Sequence, residues 1–271
     1  MLNERKEHMK KVKGYVNFVL HAHLPYIHHP ECDTYLEEEW LFEAISETYI
    51  PLILNYKKLE EEGVSFRITM TMTPPLLNML DNELLQERYI KYLNKHIELC
   101  KKEVKRTVYD ERLNRLSKYY LDRYKNDLYV FKDVYKCNLI NAFKHFQDAG
   151  YLEIITCGAT HGYFPILYVN EKTVRAQIGI AVKSYKKYFG RQPRGIWLPE
   201  CGYVPEADKY LKEFGIEYAI VESHGILYAD PVPVYGTFAP ITSPQGLTVF
   251  GRDIESSRQV WSSINRISWR L

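Results

Sequence analysis

Short apolar runs alternate with amphipathic stretches along most of the chain. The runs that favour β-strands cover residues 14–21, 65–71, 152–157, 194–199, 216–221 and 246–250. Helical spacing of apolar residues characterises residues 38–62, which include a proline, and residues 171–189 and 205–214. Gly190 and Gly215 follow the last two stretches and predict where those helices end. The alternation of strand and helix predicts βα units around a parallel sheet.

Residues 83–150 depart from this alternation. They contain no convincing strand pattern and are dense in Lys, Arg, Glu, Tyr and Leu. This composition predicts a helical insertion between two strands of the sheet, forming a solvated layer over the core in preference to a site for a charged ligand.

Length and charge narrow the class of protein. A chain of 271 residues suits one large α/β domain or two small ones. The formal net charge of +2 gives no reason to expect nucleic acid or an anionic membrane as a partner. Five dispersed cysteines without a CxxC pair favour a reducing compartment. With no signal-peptide pattern and no apolar stretch of membrane-spanning length, we expect a cytoplasmic protein.

Polar side chains follow the predicted strands where those strands end. If the sheet closes into a barrel, chemistry collects at the carboxyl ends of the strands. The residues at these ends are His21, His23, Thr71, Thr73, His161, Glu200, Glu222 and His224. Their distribution predicts a site at one end of the sheet.

Glu200 directly follows the apolar run GIWLP. A carboxylate in this position is expected to be partly desolvated, which suits covalent or acid–base catalysis. The alternative is a helix N-cap or an ion pair at a strand end.

His21 and His23 form an HxH pair. Side chains alternate along a strand, so the two rings face the same side only if the strand end twists or bulges. Such a pair can hold zinc when further ligands complete the site, or one ring can simply pack in the core. His28 and His29 follow the turn and are expected at the surface.

His161 lies between Gly158 and Gly162, which permit close approach of the backbone. Loop histidines are also common at the surface, so this residue alone indicates little.

Four further ionisable residues follow the last two strands. Glu222 and His224 are an acid–base pair or, in the favoured interpretation, support their neighbours. Arg252 and Asp253 are an ion pair or groups that hydrogen-bond a substrate.

Several motifs together resemble glycoside hydrolase family 57. HAHLPY, ATHGYFP and GIWLPECGY match successive motifs of the family, the last of which holds its catalytic glutamate. VESHGILYADP and FGRDIESSRQVWS are most similar to the α-glucan branching-enzyme group. The resemblance extends from about residue 14 to 263.

The resemblance implies an α/β fold, an incomplete (β/α)7 barrel, that acts on α-1,4-glucans or maltooligosaccharides by a retaining mechanism without cofactor or metal. It implies that Glu200 is the nucleophile. The residues it implies for substrate binding are His21, His23, Trp40, His161, Arg252 and Asp253. The histidines would then hold sugar hydroxyls rather than a metal.

The resemblance ends before the acid/base residue of the family, an aspartate on a later strand. Residues 264–271, INRISWRL, do not resemble the family's continuation, and Asp253 comes too early to be that aspartate. We therefore expect residues 1–271 to be a truncated N-terminal catalytic barrel domain with little activity alone. Alternatives are an α-amylase or 4-α-glucanotransferase of the family, a metal-dependent deacetylase or amidohydrolase using His21 and His23, and a non-catalytic glucan-binding remnant.

Overall fold

The structure, a computed structural model, describes residues 14–261; predictions for residues 1–13 and 264–271 lie outside this range. Its seven strands are β1 Val19–Ala22, β2 Ile68–Met72, β3 Leu152–Ile155, β4 Gly195–Trp197, β5 Tyr218–Val221, β6 Ile241–Thr242 and β7 Thr248–Gly251. Six of them fall within, or within one residue of, the predicted runs. The two-residue strand β6 was not predicted.

Eleven α-helices surround these strands in the described part of the chain. They are α1 Glu38–Ala44, α2 Ile50–Glu61, α3 Pro74–Leu80, α4 Glu83–Arg106, α5 Glu111–Leu128, α6 Leu139–Asp148, α7 Phe164–Leu167, α8 Glu171–Phe189, α9 Asp208–Glu213, α10 His224–Leu227 and α11 Ile254–Trp261. π-helical turns occur at Ile45–Tyr49 and Tyr129–Val134, and short 3-10 turns at Pro199–Cys201, Pro205–Ala207 and Gly236–Phe238. Helix α8 ends at Gly190 in the left-handed conformation (φ 69°), as predicted.

The strands form one continuous, mostly parallel array. β1, β2 and β3 pair in parallel, and so do β4, β5 and β7, whereas β6 pairs antiparallel to β7. Thr156 joins the two groups, because its N–H donates to Gly195 O (3.1 Å) and its carbonyl accepts from Trp197 N (2.9 Å). The order across the array is therefore β1-β2-β3-β4-β5-β7-β6.

The array is strongly curled. β1 and β4 are three strands apart, about 14 Å in a flat sheet. Yet the His21 ring on β1 stacks on the Trp197 ring of β4 with centroids 4.6 Å apart. The two side chains can meet only across the concave face of a barrel-like curve. Within residues 14–261 no ladder joins β1 to β7, so the described strands do not close the barrel.

The core lies on both faces of this curve. Outside it, helices α1 to α4 and α6 pack on β1 to β3, and helices α8 and α9 pack on β4, β5 and β7. Inside it, a small apolar cluster fills the barrel; its buried members are Ile155, Cys157, Trp197, Cys201 and Ile220. Within residues 14–261, no helix has both the length and the apolar character needed to cross a bilayer.

Residues 83–150 form the predicted helical insertion and contain α4, α5 and α6 but no strand. Helix α4 buries Leu85, Tyr89 and Leu93 against the core, whereas α5 is almost wholly solvated and buries only Asp127. This contrast agrees with the interpretation of a solvated outer layer.

A buried ion pair ties the insertion to the segment that follows β1. Arg88 of α4 donates to both carboxylate oxygens of Glu38 (2.6 and 2.8 Å), whose side chain is 1% exposed. Arg88 also donates to the carbonyls of His29 and Cys32, and Glu38 accepts from His29 N at 3.2 Å. Together these contacts fix the path of the chain between β1 and α1.

Candidate active site

Three imidazole rings meet at the carboxyl ends of the first and third strands. The ring centroids of His23 and His161 are 3.7 Å apart. The ring centroid of His21 lies 5.9 Å from that of His23 and 5.2 Å from that of His161. β1 ends at Ala22, so His23 no longer follows strand alternation and can turn to the same side as His21.

Burial keeps the three rings uncharged. It is the main cause that lowers the pKa of His21 to about 3 and that of His23 to about 4, and the neighbouring His161 lowers both further. Burial also lowers the pKa of His161, against the opposing effect of Glu200. A neutral imidazole offers one N–H donor and one acceptor, which suits the mixed hydrogen bonding of sugar hydroxyls.

Glu200 projects from a strained turn after β4. Its backbone is left-handed (φ 51°, ψ 27°), and so is that of Cys201 (φ 54°), an uncommon conformation for residues other than glycine. Glu200 Oε1 lies 3.4 Å from His161 Nε2. The predicted desolvation of this carboxylate is wrong, because its side chain is 76% exposed. The turn directs Cys201 into the core and Glu200 out of it.

Trp197 and Arg252 brace this turn from behind. The Arg252 guanidinium lies 5.5 Å from the Trp197 ring centroid, and Trp197 also stacks on His21. Arg252 Nη1 donates to Glu222 Oε2 at 3.0 Å and approaches Cys201 Sγ at 3.9 Å. Glu222 therefore supports its neighbours, as the favoured interpretation expected.

Asp253 has a different partner from the one expected. Of the two alternatives for Arg252 and Asp253, the ion pair is not formed, because Arg252 pairs with Glu222 and Asp253 Oδ1 accepts from Ser256 N at 2.7 Å to cap helix α11; substrate binding stays a prediction. Trp40, 48% exposed on α1, makes no ring contact with the three histidines among the described residues. His224 is exposed at the start of α10.

His28 and His29 were expected at the surface and are instead half-buried. The His29 ring stacks on Tyr35 with centroids 3.6 Å apart and pairs with Glu31. Neither of these two residues makes a ring contact with the three-histidine cluster in the described part of the chain.

A groove of about 440 Å³ opens beside the histidines. Its lining residues are His23, Pro25, Tyr26, Pro75, Asn78, Ala159, Thr160 and His161. The volume falls in the range of roughly 300–1,000 Å³ typical of small-molecule sites. Its mixture of aromatic, amide and hydroxyl groups fits a neutral polyhydroxylated ligand.

A family model described as Glycosyl hydrolase family 57 matches residues 17–261. The chain belongs to this family. A 1,4-alpha-glucan branching enzyme of Thermococcus kodakarensis is 36% identical to it, over 93% of the chain and 40% of that enzyme. The family membership confirms the resemblance that the motifs indicated.

Two solved structures extend the comparison with family 57. The alpha-amylase AmyC of Thermotoga maritima is 46% identical with a TM-score of 0.88, over 93% of this chain and 48% of AmyC. The GH57-type branching enzyme of Pyrococcus horikoshii is 38% identical with a TM-score of 0.82, over 92% and 49%. This family 57 chain thus has their (β/α)7 barrel-like fold and spans about half of their length or less.

The cluster of this family 57 chain is not arranged as a metal centre. Among residues 14–261 no group of three or more His, Cys, Asp or Glu side chains is placed to hold a metal ion. His23 and His161 stack face to face, so their in-plane lone pairs do not converge, and His23 Nδ1 bonds Thr73 Oγ1 at 3.1 Å.

Three residues that contact the cluster received no role from the sequence. Thr73 holds His23, Trp197 stacks on His21, and Cys157 Sγ lies 3.2 Å from His161 Nδ1. Thr73 was noted only as a strand-end residue. Cys157 stands at the end of a predicted strand, four residues before His161, a spacing that places both at one strand end.

Proposed function

We propose that this chain is the N-terminal catalytic barrel domain of a retaining α-glucan transglycosylase of the branching-enzyme type, with Glu200 as the nucleophile. The observation that supports it most directly is the Glu200 carboxylate beside His161, aimed outward by a left-handed turn at the mouth of a family 57 barrel. The identity to branching enzymes over almost the whole chain supports the choice of activity.

In the proposed reaction, Glu200 attacks the anomeric carbon of an α-1,4-linked glucose. The bond from that carbon to the leaving glucan oxygen breaks, an ester bond to Glu200 forms, and an acid protonates the departing oxygen. The neutral rings of His21, His23 and His161 would hold the hydroxyls of the donor sugar. The 6-hydroxyl of a second glucan then attacks the anomeric carbon, the ester bond to Glu200 breaks, the hydroxyl proton passes to the acid/base residue, and a branch forms.

A retaining mechanism requires a second carboxyl group about 5–5.5 Å from the nucleophile. The two strands next to β4 in the array, β5 and β7, are followed by Glu222 and Asp253. Both carboxylates already have partners, since Glu222 pairs with Arg252 and Asp253 caps α11. We therefore propose that a residue outside 14–261 supplies the acid/base.

Hydrolysis is the second candidate, because AmyC, an alpha-amylase, is 46% identical over 93% of the chain. The two activities share the first step and differ only in whether a glucan hydroxyl or water accepts the sugar. The five cysteines are free thiols, which favours a reducing, cytoplasmic location for either activity.

A donor that needs no acid isolates the role of Glu200. In α-maltotriosyl fluoride the leaving group departs as fluoride, so the glycosyl ester can form without a proton donor. We expect mass spectrometry of the treated chain to show one added maltotriosyl group, on the peptide that contains Glu200. Without a base to activate an acceptor, this ester should accumulate.

Two variants complete the experiment. Glu200→Gln should abolish the adduct, whereas Glu206→Gln, which alters an exposed carboxylate on the next turn, should keep it. An adduct in Glu200→Gln, or none in the unaltered chain, would exclude Glu200 as the nucleophile.

A further inference from the structure

We propose that Cys157 sets the tautomer of His161, so that His161 Nε2 carries the ring proton. The Nε2–H group then donates a hydrogen bond to the Glu200 carboxylate. Cys157 is then a positioning residue that acts on Glu200 through one imidazole. The assignment of the tautomer does not depend on the reaction that the chain catalyses. Its consequence for catalysis rests on the proposed function.

The geometry is a chain of two contacts through one ring. Cys157 is fully buried in the inner apolar cluster, and its Sγ lies 3.2 Å from His161 Nδ1. On the opposite side of the ring, His161 Nε2 lies 3.4 Å from Glu200 Oε1. A neutral imidazole has a single N–H, and the bond made by one nitrogen decides which nitrogen bears it.

Both contacts select the same tautomer. Burial raises the pKa of the Cys157 thiol, so its S–H proton is retained. The thiol proton is therefore available to donate to Nδ1 of His161. The opposite tautomer would turn the bare lone pair of Nε2 toward a carboxylate, which is electrostatically unfavourable.

The ring has little freedom to escape this arrangement. His161 itself has a left-handed backbone (φ 57°), and its N–H donates to Gly158 O at 3.1 Å. The His23 ring covers one face of His161 at 3.7 Å. A donor fixed on Oε1 of Glu200 leaves Oε2 free to attack.

The tautomer can be measured directly and without any substrate. Proton–nitrogen correlation spectra of the chain, labelled with heavy nitrogen at histidine, distinguish protonated from bare ring nitrogens. The His161 signals are those lost in His161→Gln. At neutral pH we expect a bare Nδ1 and a protonated Nε2 in the unaltered chain. A protonated Nδ1 there would overturn the proposal before any cysteine is changed.

Substitutions then test the part played by the thiol. Cys157→Ala leaves Glu200 as the remaining contact that favours a proton on Nε2, so the His161 Nδ1 signal should move part of the way toward the protonated position. Cys157→Ser, which keeps an O–H donor, should retain the original pattern. Cys100→Ala removes another buried thiol, in α4, and is the matched control that should change nothing at His161. An unchanged His161 in Cys157→Ala would refute the assignment.

The catalytic consequence has a separate measurement. We expect Cys157→Ala to slow ester formation from α-maltotriosyl fluoride about tenfold, the effect of one misdirected hydrogen bond, and Cys157→Ser to restore most of the rate. Slower trapping with an unchanged tautomer would refute the proposal. An altered tautomer with unchanged trapping would leave Cys157 as the determinant of the tautomer and remove its role at Glu200. Failure of the unaltered chain to trap at all would count against the proposed function alone.

Discussion

Neutral histidines make the folded chain sensitive to acid. His21 and His23 have pKa values near 3 and 4 in the folded state, well below the ordinary value of 6.5 that they regain on unfolding. Between these values the unfolded chain binds more protons than the folded one. The stabilising effect of the neutral rings is therefore complete above about pH 6.5 and is lost as the pH falls toward 3.

We expect the free energy of unfolding to decrease between pH 6.5 and 4, by up to about 1.4 kcal/mol per pH unit for His21 and by less for His23, which solvent screens more. Urea unfolding across this range measures the slope. His21→Gln should reduce the slope, because one buried titrating ring is lost, while the exposed His224→Gln should leave it unchanged. Equal slopes in His21→Gln and the unaltered chain would contradict the buried neutral state.

At the residue scale, the sequence located the ionisable groups better than it predicted their surroundings. The order of motifs placed His21, His161 and Glu200 at neighbouring strand ends, and the structure brings them together. The exposure of Glu200 was not predictable, because two consecutive left-handed residues, neither of them glycine, leave no mark in composition or periodicity. The contact of Cys157 likewise depends on a turn that the spacing alone does not define.

At the scale of elements, contacts with neighbouring elements decide where a strand or helix begins when local sequence propensity does not. Residues 14–18 favour a strand, yet the ladder begins at Val19, and Tyr15 and Val16 are almost fully exposed. The periodic stretch 38–62 is helical from residue 38 to residue 61, and the π-turn Ile45–Tyr49 lies just before its proline, Pro51, near the start of α2. A proline inside a periodic stretch thus marked a change of helix type rather than an end.

The Arg88–Glu38 pair is the element-scale contact most open to test. Arg88→Met leaves the Glu38 carboxylate buried without its partner, so we expect a loss of about 3–5 kcal/mol in the free energy of unfolding. The measurement is the urea midpoint, with the m-value checked for constancy. Arg106→Met, which breaks the exposed pair with Glu103, is the control and should change stability by less than about 1 kcal/mol.

A double variant separates the charge from the packing. Replacing both partners, as in Glu38→Leu with Arg88→Met, removes the buried charge together with its counterion. We expect this variant to be less destabilised than the sum of the two single variants. Additive losses would show that the pair contributes through side-chain packing alone.

At the scale of the whole molecule, the described strands form an open, barrel-like curve. We expect residues 1–271 to form few or no branches on amylose, because Glu222 and Asp253 are engaged elsewhere and no described group is assigned to protonate the leaving oxygen. Debranching of the product followed by chain-length analysis measures this. Robust branching would show that a carboxylate within the chain serves as the acid.

The alternation of strands and helices sufficed to predict the βα architecture and the insertion. It did not predict the curl, because curvature depends on how side chains from distant strands meet. The contact between His21 and Trp197 reveals it, and nothing in the sequence positions of these two residues predicts that they meet.

That stacked pair also gives the chain an optical reporter of its own tertiary structure. Indole emission responds to an imidazole lying against the ring, so the fluorescence of Trp197 follows the approach of the first strand to the fourth. Far-ultraviolet circular dichroism follows helices and strands whether or not they have curled together. Comparing the two signals during refolding would therefore separate the rate at which the sheet curls from the rate at which its strands and the helices form.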